Sequence, residues 1–150
     1  MKKIAIVFWN FLIVLLLGCS QSKPENPEMI GTWTNPDGAI LQINKDGTFV
    51  GKSLPVGPVL MDNKKHANEK FNCRGKWSIK AISKSWDQLP WNMSLIFSDV
   101  SGIDNVGSAN LIISGSGFLE NKAPWRRLFL WVGEEGGNRC EFEKENKSSR

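Results

Sequence analysis

The residues with most chemistry to offer are the three thiols of this 150-residue chain, Cys19, Cys73 and Cys140. Cys19 stands where an apolar run turns polar, a place where a cysteine serves modification better than packing. Cys73 and Cys140 form an even pair, which in an exported chain predicts a disulfide, with two separate buried thiols as the alternative. The lone histidine, His66, lies beside Lys64 and Lys65 and reads as a solvated residue. It has no serine or acid motif near it to make a nucleophile and base. A metal site needs several His, Cys, Asp or Glu at ligand spacing, and no such spacing occurs. Asp37, Asp46 and Asp62 fall in turn-like stretches, and Glu134-Glu135 sits in a glycine-flanked connection, so their expected work is in turns. No strand runs into a glycine-rich phosphate loop or dinucleotide fingerprint. The expectation is a protein that is not an enzyme and uses no cofactor or metal.

Lys2 and Lys3 precede an apolar run from Ile4 to Leu17, broken only at Asn10. This is a basic leader followed by a hydrophobic segment of about 14 residues. As a helix it reaches roughly 21 Å, short of the ~30 Å hydrocarbon core, so a cleaved signal peptide over residues 1–18 is expected rather than a lasting span. The run ends in Leu16-Leu17-Gly18-Cys19, which resembles the lipobox of bacterial lipoproteins, although Leu17 is bulkier than usual for its place. The resemblance implies a diacylglyceryl group on the Cys19 thiol, cleavage just before it, and fatty acyl chains such as palmitate on the mature protein. Two or three such chains make a stable anchor where one does not. From Ser20 to Glu28 the chain is polar and carries Pro24 and Pro27, so residues 19–29 read as a lipidated tether and 30–150 as the domain. Ser20 implies, by the same resemblance, an outer-membrane location facing the periplasm.

The net charge of +4 falls to about +2 once Lys2 and Lys3 leave with the leader, which gives no reason to expect nucleic acid. About 130 residues remain, enough for one domain with a core. They include six of the seven tryptophans, suited alike to cores, pockets and interfaces.

Short alternating runs between turn signals predict strands at Ile30–Thr34, around Leu41 and Ile43, at Thr48–Val50, Gly75–Ala81, around Met93, Leu95 and Phe97, at Leu111–Ile113, Arg127–Val132 and Cys140–Glu143. Asp46-Gly47 supplies the positive φ a tight hairpin needs. No segment after Cys19 has a convincing helical period. About eight consecutive strands predict an all-β fold, an antiparallel up-and-down barrel, with a β-sandwich as the alternative. The connection from Lys52 to Arg74 is long, and its apolar half (Val56, Val59, Leu60, Met61) is suited to folding over a barrel mouth as a lid; a disordered connection is the other reading. Ser98 to Asn110 reads as an exposed loop. Leu128, Leu130 and Val132 share one face of their strand and Phe129 and Trp131 the other, so an aromatic pair points outward, either covered by the tether or the 52–74 loop or exposed as a partner patch.

Gly31-Thr32-Trp33 resembles the Gly-x-Trp signature that opens the first strand of lipocalins, and Gly75-Lys76-Trp77 repeats it. With Leu41-x-Ile43-x-x-Asp46-Gly47-x-Phe49 between them and Gly133…Phe142-Glu143-Lys144 at the close, the mature chain is similar to small lipocalin-like lipoproteins of bacteria. That resemblance implies a barrel whose interior binds a small apolar or amphipathic ligand, with Trp33, Trp77 and Phe97 lining a cavity or forming core. The competing expectation is a protein-binding envelope module of the inhibitor or immunity type, with Phe129 and Trp131 in its contact surface. In either case the chain meets the membrane through its anchor.

Overall fold

The computed structural model describes residues 22–60, 68–82, 89–101, 107–115, 120–133 and 137–146. Cys19, His66, Asp62 and Glu134-Glu135 lie outside them. Eight antiparallel strands follow one another around a closed barrel: β1 (Gly31–Thr34), β2 (Ile40–Ile43), β3 (Thr48–Pro55), β4 (Lys70–Ala81), β5 (Trp91–Val100), β6 (Ser108–Gly115), β7 (Trp125–Val132) and β8 (Asn138–Lys144). The up-and-down barrel is therefore the fold, and the sandwich alternative falls away. Among the described residues two short helical segments, α1 (Asn26–Met29) and α2 (Val56–Leu60), accompany the strands.

Alternation decides what goes inside. On β4, Phe71, Cys73 and Trp77 are buried while Asn72, Arg74 and Lys76 are exposed, the period-2 pattern of a sheet with one wet face. The connection expected from Lys52 to Arg74 is much shorter than that. β3 continues to Pro55 through a bulge between Gly51 and Leu54, where Ser53 takes φ 53° and Asn72 Oδ1 accepts its N–H at 3.0 Å. β4 then begins at Lys70, since Phe71 and Cys73 already alternate inward.

Turns follow side-chain chemistry. In the β1–β2 turn Asn35 Oδ1 accepts the Ala39 N–H at 2.8 Å, and Gly38 takes φ 82°. In the β2–β3 turn Asp46 Oδ1 accepts the Thr48 N–H at 3.0 Å and its hydroxyl at 2.6 Å, and Gly47 takes φ 83°.

Both mouths are covered. At one, α2 buries Val56 and Val59 and reaches from β3 to β6 and β7. The apolar half of the expected lid is thus built into the core cluster rather than poised above it. Pro58 is compatible with this helix because the first turn needs no N–H donor. At the other mouth, part of the expected tether, residues 22–29, lies against the barrel. Glu28 accepts the Glu25 N–H at 2.8 Å to start α1, Pro24 and Met29 are buried, and Met29 O accepts the Trp33 indole N–H at 3.0 Å. Ordered structure accordingly begins before Ile30.

Candidate functional site

The interior is the first place to look, and among the described residues large apolar side chains pack it. Trp33, Phe49, Met93, Leu95, Leu111 and Phe142 are each at most 1% exposed, and Trp77 and Phe97 reach only 8% and 9%. Phe97 packs edge-on against Phe49 at 5.7 Å and Phe71 at 6.0 Å between ring centroids, the favoured geometry for aromatic pairs. The two indoles of the Gly-x-Trp triplets have their donors satisfied by backbone: Trp33 Nε1 by Met29 O, and Trp77 Nε1 by Asn44 O, both at 3.0 Å. Trp33, Trp77 and Phe97 therefore belong to the core cluster.

The two triplets use their glycines differently. Gly31 has φ 137°, a region that excludes most side chains. Gly75 sits where the β4–β5 register shifts, and a Cβ there would fall 2.0 Å from the Ile96 carbonyl oxygen and 2.9 Å from Phe49 Cε1.

The expected Cys73–Cys140 bridge is corrected: both thiols are free. Each strand pattern aims its cysteine inward, but β4 and β8 are four strands apart in an eight-stranded ring, on opposite walls. Burial pushes the Cys73 thiol up to about 12. Burial also raises Cys140, opposed by a hydrogen bond with Asn35 and reinforced by the nearby Asp37 carboxylate.

The outward aromatic pair on β7 is also corrected as an exposed patch. Phe129 and Trp131 do face outward and pack edge-on at 5.6 Å, yet Phe129 is completely buried and Trp131 half-buried. Arg139, opposite Trp131 in the β7–β8 ladder, lays its guanidinium 4.2 Å from the Phe129 ring centre and 4.5 Å from that of Trp131. Glu120 holds it there at 3.2 Å and also pairs with Arg127 at 3.0 Å, while Arg127 donates to Gly115 O. Among the described residues this arginine–glutamate network lies over the pair.

Among the described residues, open space lies on the outside. A groove of about 640 Å³ runs along the mouth closed by α1, between Pro27, Glu28, Ile30 and the ends of β7 and β8. Trp125 forms its apolar side, with Arg126, Lys144 and Glu145 as charged rims. Lys144 Nζ donates to Glu28 O and lies 5.5 Å from the Trp33 ring centre, and Arg126 donates to Asn146, so these cations are fixed by the fold. Two smaller recesses lie at the β3 bulge (about 430 Å³, including Asn72, Arg74 and Asp99) and at the β1–β8 seam (about 360 Å³, including Asn35, Glu141 and Glu143). The groove was not legible in the sequence. Its residues come from three distant stretches, around Ile30, Trp125 and Lys144.

Compared with protein-family models, with curated proteins and with solved structures, the chain has no match. The barrel is compatible with a lipocalin-like fold.

Proposed function

We propose that this protein is a lipid-anchored, non-enzymatic lipoprotein of the cell envelope, lipocalin-like in family, that works by binding a protein partner on its outer surface. The observation that carries this reading is the packing of the described interior: Trp33, Trp77 and Phe97 join one core cluster, and α1 and α2 lie at the two mouths. A ligand-carrying barrel keeps a cavity on the order of 300 Å³ or more. The anchor through Cys19, with the barrel on the periplasmic side of the outer membrane, keeps the expectation of the sequence and sets the compartment in which the partner is met.

The test is native mass spectrometry of the acylated protein extracted from its own host's membranes in mild detergent, with an apolar fluorescent probe titrated against the same sample. The reading expects a stoichiometric protein mass and no saturable probe binding. A stoichiometric small molecule retained by the barrel would overturn it.

A second reading is favoured by one feature, the groove beside α1. Its volume lies within the range of small-molecule sites, and its mixture of Trp125 with Arg126, Lys144 and Glu145 suits an amphipathic ligand held outside the barrel. Loss of a co-purifying small molecule on Arg126→Ala, with the barrel still folded, separates this reading from the first.

A further inference from the structure

The first described residues are fastened to the rim of the barrel. Ser22 Oγ accepts the Ala123 N–H at 3.4 Å, at the β6–β7 connection, and Lys23 Nζ stands 5.7 Å from the ring centre of Trp91, at the start of β5. Pro24 is buried, Glu28 O takes the Lys144 ammonium, and Met29 seals the mouth. These contacts involve β1, β5, β7 and β8 together, so they fix the end of the barrel at which the chain enters.

Only Ser20 and Gln21 stand between this fastened segment and Cys19. Three residues of chain span at most about 11 Å even when fully extended. A strand of eight residues tilted as in a small barrel carries the opposite mouth roughly 20 Å further away. The far end, with α2 and the β1–β2 turn, therefore cannot reach the surface that holds Cys19 unless the 22–29 contacts break.

We propose that the α1 end of the barrel, around Ser22, Lys23, Trp91 and Ala123, is a membrane-apposed face, and that the domain stands end-on on the bilayer with α2 directed away from it. The occupant of this face is the lipid surface that carries the protein's own acyl chains. The proposal rests on lipidation at Cys19 and goes beyond it, because lipidation alone would let a domain on a loose tether tumble. It also places the 640 Å³ groove at the headgroup level and leaves the recesses at the β3 bulge and the β1–β8 seam turned toward the periplasm.

The experiment uses the acylated full-length mature protein in phosphatidylethanolamine–phosphatidylglycerol nanodiscs. A bimane label goes at Ala123→Cys on the near face or at Asp37→Cys on the far face, each in a Cys140→Ala background. Intact mass is measured first, and a label at Asn121→Cys gives a second near-face reading should Ala123→Cys disturb the rim. With nitroxide-headgroup lipid in the disc, quenching at Ala123→Cys and Asn121→Cys is expected to exceed that at Asp37→Cys several-fold. Equal quenching at the two ends of an acylated protein overturns the end-on arrangement while leaving the anchor intact. An unacylated mass removes the anchor and this proposal together.

Discussion

Replacing Gly75 with alanine tests the reason the second Gly-x-Trp triplet begins with glycine. Gly75 has no positive φ, so backbone preference gives alanine no penalty there. Its constraint is space: the new Cβ would lie 2.0 Å from the Ile96 carbonyl oxygen and 2.9 Å from both Ile96 C and Phe49 Cε1. Reaching the ~3.3 Å of a close C···O contact needs a shift of about 1.3 Å between β4 and β5. Those strands share the ladder from Cys73–Val100 to Ala81–Trp91, so the shift has to be absorbed at the bulge or transmitted along the ladder. Overpacking in a dense interior costs about 1–3 kcal/mol, and an obstacle made of backbone puts this case near the upper end, roughly 3 kcal/mol. Gly51→Ala is the control, because its Cβ meets Cys73 Sγ and Leu54 Cδ1, both at 2.6 Å, which are side-chain ends able to turn aside. Urea unfolding followed by tryptophan emission reads the difference. With a slope near 2 kcal/mol/M, Gly75→Ala should lower the midpoint by about 1.5 M and Gly51→Ala by about 0.5 M. A Gly75→Ala midpoint equal to wild type, or a larger loss at Gly51, would refute the close approach at the β4–β5 bulge.

Trp33→Ala removes a fully buried indole and its bond to Met29 O, and should cost on the order of 3–5 kcal/mol in the same urea assay; a cost under about 1 kcal/mol would place the ring outside the core. Cys73, with its thiol pushed up from 9.0 to about 12, should carry about a thousandfold less thiolate at pH 8 than an ordinary cysteine, so iodoacetamide should label Cys140 first and Cys73 only on unfolding. A mass two daltons short of the dithiol chain, on the order of one lost hydrogen per sulfur, would instead restore the disulfide. The Asp46 carboxyl is held below its usual range by the Thr48 hydroxyl and N–H, so its turn contribution is present above the ordinary carboxylate pKa and is lost as pH falls through the lowered folded value. Asp46→Asn should flatten that acid limb of the stability–pH curve, and an unchanged limb would place the effect elsewhere.

The strands were legible because alternation is a local property. Each of the eight expected runs overlaps one of the eight strands, and chain order alone gives the up-and-down path. What escaped is what depends on register between strands. Parity correctly sends Cys73 and Cys140 inward, but parity is blind to position around the ring, and opposite walls of a packed barrel keep inward thiols apart. The outward direction of Phe129 and Trp131 was likewise correct. Their cover was not readable, since only the pairing of Trp131 with Arg139 brings a guanidinium over both rings. The 52–74 stretch concealed the first half of β4 because Pro55, Pro58 and the lysines before His66 outweighed the alternation of Phe71 and Cys73. The polar composition of residues 20–28 hid a segment whose fastening depends on distant partners, Ala123, Trp91 and Lys144.

That fastening ties the fold to the proposed role. A barrel carrying a ligand needs one mouth that opens, and here each mouth is occupied by a different piece of the chain. α2 fills one with Val56 and Val59, while the entering segment fills the other with Met29 above Trp33. Opening the α2 mouth would expose the buried apolar surface of two valines, a cost on the order of 3 kcal/mol, with no described hinge glycine other than Gly57, itself buried. Opening the α1 mouth would release the contacts of residues 22–29 with the barrel rim, which the proposed anchor depends on to hold the domain close. Recognition through the outer wall needs neither change, and beside β7 Glu120 already pairs with both Arg127 and Arg139. The region to search for a partner by substitution is therefore the surface turned away from the proposed membrane face, around Asn72, Arg74 and Asp99 and around Asn35, Glu141 and Glu143, where charged side chains surround recesses.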